Sequence, residues 1–271
     1  MIRQAIIPLA GLGTRLLPLT SVFPKELLPI NGKPGLEYIL DECIDAGVKE
    51  FIFIISNKKK LIKKYFYNDK FYKNIIKKKK DKRVIKEYKK ILNLKKKIKF
   101  VYQNKPLGTG DAVLKTKKYI TGSHFLILFP DDIIMNRNCS KDMISIHKKF
   151  NCSVMASIKV QKKNVSRWGI YSIKKKINKS NFIIKDVIEK PKRKDAPSTN
   201  AVIGRYILPK EIFAKLEKQN KGMGGEIHIT DSIRKLIKAN YRFVGHNFAG
   251  KYLDCGSMSG YIKSSLEISK L

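Results

Sequence analysis

Three observations in the 271-residue sequence predict an α/β protein built on an open, mostly parallel mixed sheet flanked by helices. The first is a short apolar run, Ala5, Ile6, Ile7 and Leu9, that leads directly into a glycine-containing loop. A buried central parallel strand has this composition. The second is a β-loop-α-β unit. Leu36, Ile39, Leu40, Cys43 and Ile44 recur at helical spacing over 35–46, Gly47 is placed to end that helix, and the strand-sized run FIFIIS follows at 51–56. Such a unit favours parallel neighbours and a right-handed crossover. The third is the continued alternation of helical patterns and strand-sized runs to the end of the chain. This layout is Rossmann-like, and the length allows a single domain over 1–271.

The loop after the first strand carries Gly11 and Gly13 around Leu12, then Thr14 and Arg15. Two glycines let successive amides turn inward around an anion, and a hydroxyl and a forked guanidinium stand beside them. A tight turn that only relieves strain would use the same glycines. A dinucleotide fingerprint wants a glycine where Leu16 stands, and a P-loop wants Gly-Lys-Ser/Thr where Thr14-Arg15 stands, so neither named loop fits.

After the strand at 51–56, residues 58–99 form a lysine-rich, largely helical excursion. Its apolar residues keep helical spacing at Leu61, Ile62, Tyr65 and Phe66, and again at Val84, Ile85, Tyr88, Ile91 and Leu92. The strand IKFVYQ at 98–103 ends on Gln103, and a turn with Gly108 opens a helix over 111–118. A glutamine amide offers a donor and an acceptor, which suits the imide edge of uracil or thymine, and Gly108 allows close backbone approach. The next strand, 124–129, runs into Pro130, Asp131 and Asp132. Carboxylates just beyond a parallel strand's C-terminal end sit where open α/β sheets bind ligands, so Asp131 is a candidate metal ligand, while an Asp-Asp pair can equally serve only to turn the chain.

A helix over 140–149 and strands at 152–160, from Trp168-Gly169 onward, at 183–191 and at 200–206 complete the middle of the chain. Glu189 and Lys190 are adjacent at a strand end and point to opposite faces unless the chain bends there, which Pro191 encourages. Thr230 or Asp231 can cap the helix that continues through Ile233, Leu236 and Ile237. Asp254 either binds a ligand or caps a last helix at 257–269.

The formal net charge of +36 would ordinarily point to nucleic acid or an anionic membrane. Residues 58–99 alone hold nineteen Lys and one Arg against three acids, and these lysines fill the faces that the apolar residues leave free. A solvated lysine surface is therefore expected, with no specific nucleic-acid partner. No apolar run approaches the roughly 18 residues a membrane span needs, and MIRQAII enters a strand without a cleavage region, so a cytoplasmic protein is expected. Cys43, Cys139, Cys152 and Cys255 are far apart and suggest neither a zinc site nor a redox motif.

GxGTRxxPxT at 11–20, Pro24-Lys25-Glu26 and Leu27-Leu28-Pro29 together resemble the signature of the sugar-nucleotide pyrophosphorylases, nucleotidyltransferases acting on sugar 1-phosphates. The uridylyltransferases among them are the most similar. The resemblance implies a nucleotide-diphospho-sugar transferase fold and the reaction of UTP with glucose 1-phosphate to give UDP-glucose and pyrophosphate, with Mg2+ as cofactor. It implies that Ala10, Gly11, Leu12, Gly13 and Thr14 hold the nucleotide with Arg15 and Lys25 on its phosphates, and that Gln103 and Gly108 bind the base. It further implies that Glu189 accepts from glucose hydroxyls, Lys190 binds the sugar phosphate, Gly169, Val202 and Gly204 line the sugar pocket, and Asp254 joins Asp131 on the metal. Trp168 departs from the family's usual tyrosine, and Asp132 from its usual apolar residue. A homo-oligomer without membrane association is expected. The competing readings are a thymidylyltransferase and a basic nucleic-acid-binding protein on a decayed enzyme fold.

Overall fold

The structure, a computed structural model, describes residues 2–67, 74–76, 78 and 81–270. In chain order the strands are β1 (Gln4–Pro8), β2 (Pro29–Ile30), β3 (Lys33–Pro34), β4 (Glu50–Ile55), β5 (Ile98–Tyr102), β6 (His124–Leu128), β7 (Asp132–Met135), β8 (Ser153–Lys159), β9 (Gly169–Lys176), β10 (Asn181–Glu189), β11 (Asn200–Pro209), β12 (Phe243–Asn247) and β13 (Lys251–Asp254). The helices are α1 (Gly35–Asp45), α2 (Lys60–Tyr67), α3 (Lys82–Lys95), α4 (Thr109–Leu114), α5 (Cys139–Phe150), α6 (Ile212–Glu217), α7 (Ile229–Lys238) and α8 (Met258–Ile268).

Nine strands form one mixed sheet in the order β5-β4-β1-β6-β11-β8-β12-β10-β9. The β5-β4-β1-β6 side is parallel throughout, β12 pairs parallel with β8, and the other neighbours are antiparallel. The parallel side sends the C-terminal ends of β1, β4, β5 and β6 to one edge, the place where such sheets bind ligands. Strand alternation builds an apolar core on each face. On β1, Ala5 and Ile7 join the cluster that also holds Leu36 and Leu40 of α1, whereas Ile6 joins the cluster under α4, α6 and α7. On β4, Phe51 and Phe53 face the first cluster, and Ile52 and Ile54 the second.

Several local expectations change. The helix expected over 111–118 is α4, begun two residues earlier, followed by a short 3-10 turn at Lys117–Tyr119. Helix α7 starts at Ile229, so Thr230 and Asp231 lie in its first turn and neither caps it. Ser257 caps α8 by accepting from the Gly260 amide, which releases Asp254 from that duty. In the lysine-rich segment, α2 buries Ile62 and Phe66 as its spacing predicts. Helix α3 buries Ile91 and Leu94, but Val84 is exposed, because the inward stripe passes through Ile85 and Tyr88 instead. The part of the excursion at 68–73, 77, 79 and 80 lies outside the described residues. Lys59 also breaks the pattern of solvated lysines: it is buried, and its ammonium meets both carboxylate oxygens of buried Glu26 at 2.7 and 2.8 Å.

Candidate active site

The glycine loop leaves β1 at the edge described above, and its two glycines differ in kind. Gly13 has φ 71°, a left-handed conformation that favours glycine, and its carbonyl accepts from the Thr20 hydroxyl at 2.8 Å. Nothing lies within 4 Å of where a Gly11 side chain would begin, so that space is open toward the cleft. Ala10, Gly11, Leu12, Gly13 and Thr14 line a cavity of about 510 Å³ together with Lys25, Gln103, Gly108 and Asp131. A second cavity of about 720 Å³ is lined by Arg15, Asp131, Gly169, Glu189, Lys190, Val202, Gly204 and Asp254. The two share Thr14, Thr109, Phe129, Asp131 and Glu226 as a common border. Every residue expected at a site from the sequence therefore lies on one of two adjoining lobes, with Asp131 between them.

Asp131 sits where β6 gives way to β7. The Lys25 ammonium is 2.6 Å from its Oδ2, and the Arg15 guanidinium 3.7 Å away. Burial alone would push the Asp131 carboxyl up, but the Lys25 charge and hydrogen bond, a backbone hydrogen bond and the Arg15 charge together hold it below the usual carboxylate range. For Lys25, burial works to lower the pKa, and Asp131 and Glu26 reverse that, leaving it above its ordinary value. Both groups are thus charged at neutral pH.

Asp254 arrives through the β7-β13 ribbon. Asp254 stands opposite Asp132, and the Cys255 amide donates to the Asp131 carbonyl at 2.8 Å. A side chain on Gly256 would begin 2.5 Å from Arg15 Nη2, 2.9 Å from Asp131 Oδ2 and 3.0 Å from Asp254 Oδ1. The glycine therefore preserves a space on which two carboxylates and a guanidinium converge. Among the described residues, no group of three or more His, Cys, Asp or Glu is gathered for a metal. Two hard carboxylates that converge beside Gly256, whose amide donates to Asp254 Oδ1 at 2.8 Å, fit a cation that completes its shell with substrate oxygens and water, as magnesium does.

Asp132 is a structural clamp. Its Oδ1 accepts from the Tyr252 hydroxyl at 2.5 Å and its Oδ2 from the Gly204 amide at 2.6 Å. Burial and the neighbouring Asp131 charge push its carboxyl up to about 6. Beneath the loop, fully buried Arg205 pairs with Glu42 at 2.9 Å and donates to the carbonyls of Phe129 and Asp132 on either side of Asp131. Arg205, Glu42 and the Tyr252 hydroxyl escaped the sequence reading, which named Asp132 only for departing from the usual apolar residue. An arginine inside the otherwise apolar run of β11 was the available signal.

In the larger lobe, the chain bends after Glu189 as the adjacent pair requires, but Lys190 itself supplies the bend with φ 44°. The Lys190 amide donates to the Trp168 carbonyl at 3.0 Å. Glu189 pairs with Gly169 across β10 and β9, and a side chain on Gly169 would begin 3.1 Å from the Glu189 carboxylate. Gly204 is enforced more strictly, since its side chain would begin 2.4 Å from Phe129 Cβ.

Gly108 receives a different explanation from the one its sequence position suggests. With φ 95°, it faces Ile227, whose carbonyl would lie 2.6 Å from an added side chain. The 226–227 segment is zipped to the turn by the Gly110 amide on the Ile227 carbonyl (2.7 Å) and the Ile227 amide on the Leu107 carbonyl (2.8 Å). The glycine is required first by this protein contact. Glu226, which the sequence reading did not single out, thereby reaches the border of both lobes.

An open α/β sheet with a phosphate-type loop, a base-type turn and paired carboxylates at one edge defines an enzyme that handles nucleotides by phosphoryl chemistry. The chain belongs to the nucleotidyl transferase family, whose model matches residues 4–270. It is 35% identical over 271 residues to UTP–glucose-1-phosphate uridylyltransferase 2 of Streptococcus pyogenes, covering 98% of this chain and 90% of that one. It is likewise 35% identical over 267 residues to the UTP–glucose-1-phosphate uridylyltransferase of Mycoplasma pneumoniae, at 98% and 91% coverage. Among solved structures it resembles a UDP-glucose pyrophosphorylase complexed with UDP-glucose, with TM-score 0.87, 34% identity and coverage of 100% and 99%. A UTP-bound enzyme of the same kind from Acinetobacter baumannii gives TM-score 0.89 at 30% identity, covering 99% and 93%. Among the described residues, no helix is long and apolar enough to cross a membrane.

Proposed function

We propose that the protein transfers the uridylyl group of UTP to glucose 1-phosphate, giving UDP-glucose and pyrophosphate, as one cytoplasmic nucleotidyltransferase domain that works as a homo-oligomer. The observation that carries this reading is the position of Asp131 on the border between a lobe with nucleotide chemistry and a lobe with sugar chemistry. Relatives bearing that activity, similar over nearly their whole length, support it.

UTP lies in the smaller lobe, with its base toward Gln103 and its phosphates along 10–14, within reach of Arg15 and Lys25. Glucose 1-phosphate lies in the larger lobe, where Glu189 accepts from sugar hydroxyls and Lys190 holds the sugar phosphate. A phosphate oxygen of the sugar attacks the α-phosphorus in line. The bond from that phosphorus to the bridging oxygen breaks, and its electrons leave with pyrophosphate. The attacking group is already an anion at neutral pH, so no general base is needed. Catalysis is then positioning and charge neutralisation. Asp131 with Asp254 would hold Mg2+, which supplies positive charge to phosphate oxygens during transfer.

The deciding experiment measures pyrophosphate release with Mg2+, crossing UTP and dTTP with glucose, galactose and N-acetylglucosamine 1-phosphates. UTP with glucose 1-phosphate should be the fastest pair. A faster dTTP reaction or another sugar overturns the substrate assignment, and no release with any pair overturns the activity.

A further inference from the structure

Gln103 is held on one side by two oxygens. Its Nε2 donates to the Gly108 carbonyl at 3.0 Å and to Asp111 Oδ2 at 2.8 Å. A carbonyl and a carboxylate can only accept, so this side of the amide must be nitrogen. Turning the amide over would press Oε1 against both oxygens. Each Nε2 hydrogen is thus committed inside the protein. Gln103 forms part of the wall of the nucleotide lobe, and among the described residues no hydrogen bond reaches its Oε1. Asp111 is buried on the first turn of α4, and the Lys115 ammonium one turn later lies 3.5 Å from its Oδ1.

We propose that Asp111 is a positioning residue that sets base specificity: by holding Gln103 Nε2, it presents the single acceptor Oε1 to the base. The lobe then accepts a base whose edge carries a ring N–H, such as the N3–H of uracil. It rejects cytosine, whose N3 is itself an acceptor and would face Oε1 oxygen to nitrogen lone pair. Thymine shares the imide of uracil, so this device does not separate UTP from dTTP. The inference rests on the uridylyltransferase reading and adds to it the residue that makes the base pocket a one-acceptor site. Asp111 would act through Gln103 without touching the base.

The test compares kcat/KM for UTP and CTP, each with glucose 1-phosphate, in the wild type, Asp111→Asn and Asp111→Ala. A buried acceptor facing an acceptor is penalised strongly, so the wild type should prefer UTP by at least about a hundredfold. Asp111→Asn retains an acceptor oxygen but can rotate a donor into its place, and should cut the preference by roughly tenfold. Asp111→Ala frees one Nε2 hydrogen to turn toward the base, and should cut it further, with CTP gaining relative to UTP. A residue that only supported α4 would lower both nucleotides alike and leave the ratio unchanged.

An unchanged ratio in both variants, or a wild type that uses CTP as well as UTP, overturns the inference. If the wild type turns over neither nucleotide, the uridylyltransferase reading fails instead. Calorimetric binding of UMP and CMP to the same three proteins then decides the role of Asp111 without turnover: a selectivity that does not move overturns it. Asp111→Asn is nearly isosteric, so it keeps the test open if Asp111→Ala does not fold.

Discussion

At Asp131, a lysine and an incoming cation would compete for one carboxylate. The Lys25 ammonium already lies 2.6 Å from Oδ2, and the oxygen it occupies faces the space that Gly256 keeps open. Two substitutions separate the partners. Asp131→Asn removes the charge that both cations use, so turnover should fall by about two orders of magnitude or more, and Mn2+ binding followed by paramagnetic resonance should weaken. Lys25→Met removes the competitor, so turnover should also fall while Mn2+ binds more tightly than to the wild type. Weaker Mn2+ binding in Lys25→Met would show that the lysine does not compete at this oxygen. The contrast also shows what was legible at this scale. Asp131, Lys25 and Arg15 each stand in a short sequence pattern that singles them out as candidates, although the Lys25–Asp131 pair itself spans 106 positions. Arg205, Glu42, Tyr252 and Lys59 work through partners 33 or more positions away, for example Glu42 with Arg205 at 163 and Tyr252 with Asp132 at 120. No local spacing records such pairs.

The loops at the sheet edge use glycine for two physical reasons that give opposite mutational signatures. Gly11 has no neighbour within 4 Å of an added side chain, whereas Gly108 combines φ 95° with the Ile227 carbonyl at 2.6 Å. Gly11→Ala should therefore leave thermal stability nearly unchanged, within about 0.5 kcal/mol, and, if the smaller lobe holds UTP as proposed, raise the KM for UTP, because Gly11 lines that lobe. Gly108→Ala should destabilise the fold by about 1–3 kcal/mol through strain and overpacking, with unfolding in urea as the readout. If Gly11→Ala proved the more destabilising of the two, the division between cleft-facing and fold-facing glycine would be wrong. Element boundaries follow the same logic. The apolar strands at 51–55 and 124–128 were readable because both faces of them are buried. The start of α7 was not, because its first turn is set by the segment zipped to 107–110 and its N-terminal His228 makes no side-chain cap.

At the scale of the whole molecule, the formal net charge is +36, and residues 58–99 alone carry nineteen Lys and one Arg against three acids. Helix α3 illustrates the cost. Lys82 and Arg83 occupy its first turn, where the helix dipole is unfavourable to cations, and the Asp81 cap, accepting from the Arg83 amide at 2.8 Å, opposes them. Lys82, Lys86 and Lys89 are exposed and line a surface groove of about 620 Å³ with further lysines. Lys90 differs, since it pairs with Asp41 at 2.7 Å and ties α3 to α1. Like charges at such spacing repel, and the repulsion is screened beyond about 8 Å at physiological ionic strength. The melting temperature should therefore rise by several degrees between about 10 mM and 150 mM NaCl, as self-repulsion is relieved. The combined variant Lys82→Glu, Lys86→Gln, Lys89→Gln should melt higher at low salt and depend less on salt, with kcat/KM for UDP-glucose formation unchanged. Its affinity for a mixed-sequence DNA duplex should fall in step with the charges removed, as expected for contacts that only track phosphates. A loss of turnover in that variant would mean that the lysine face takes part in catalysis and is more than a solvated surface.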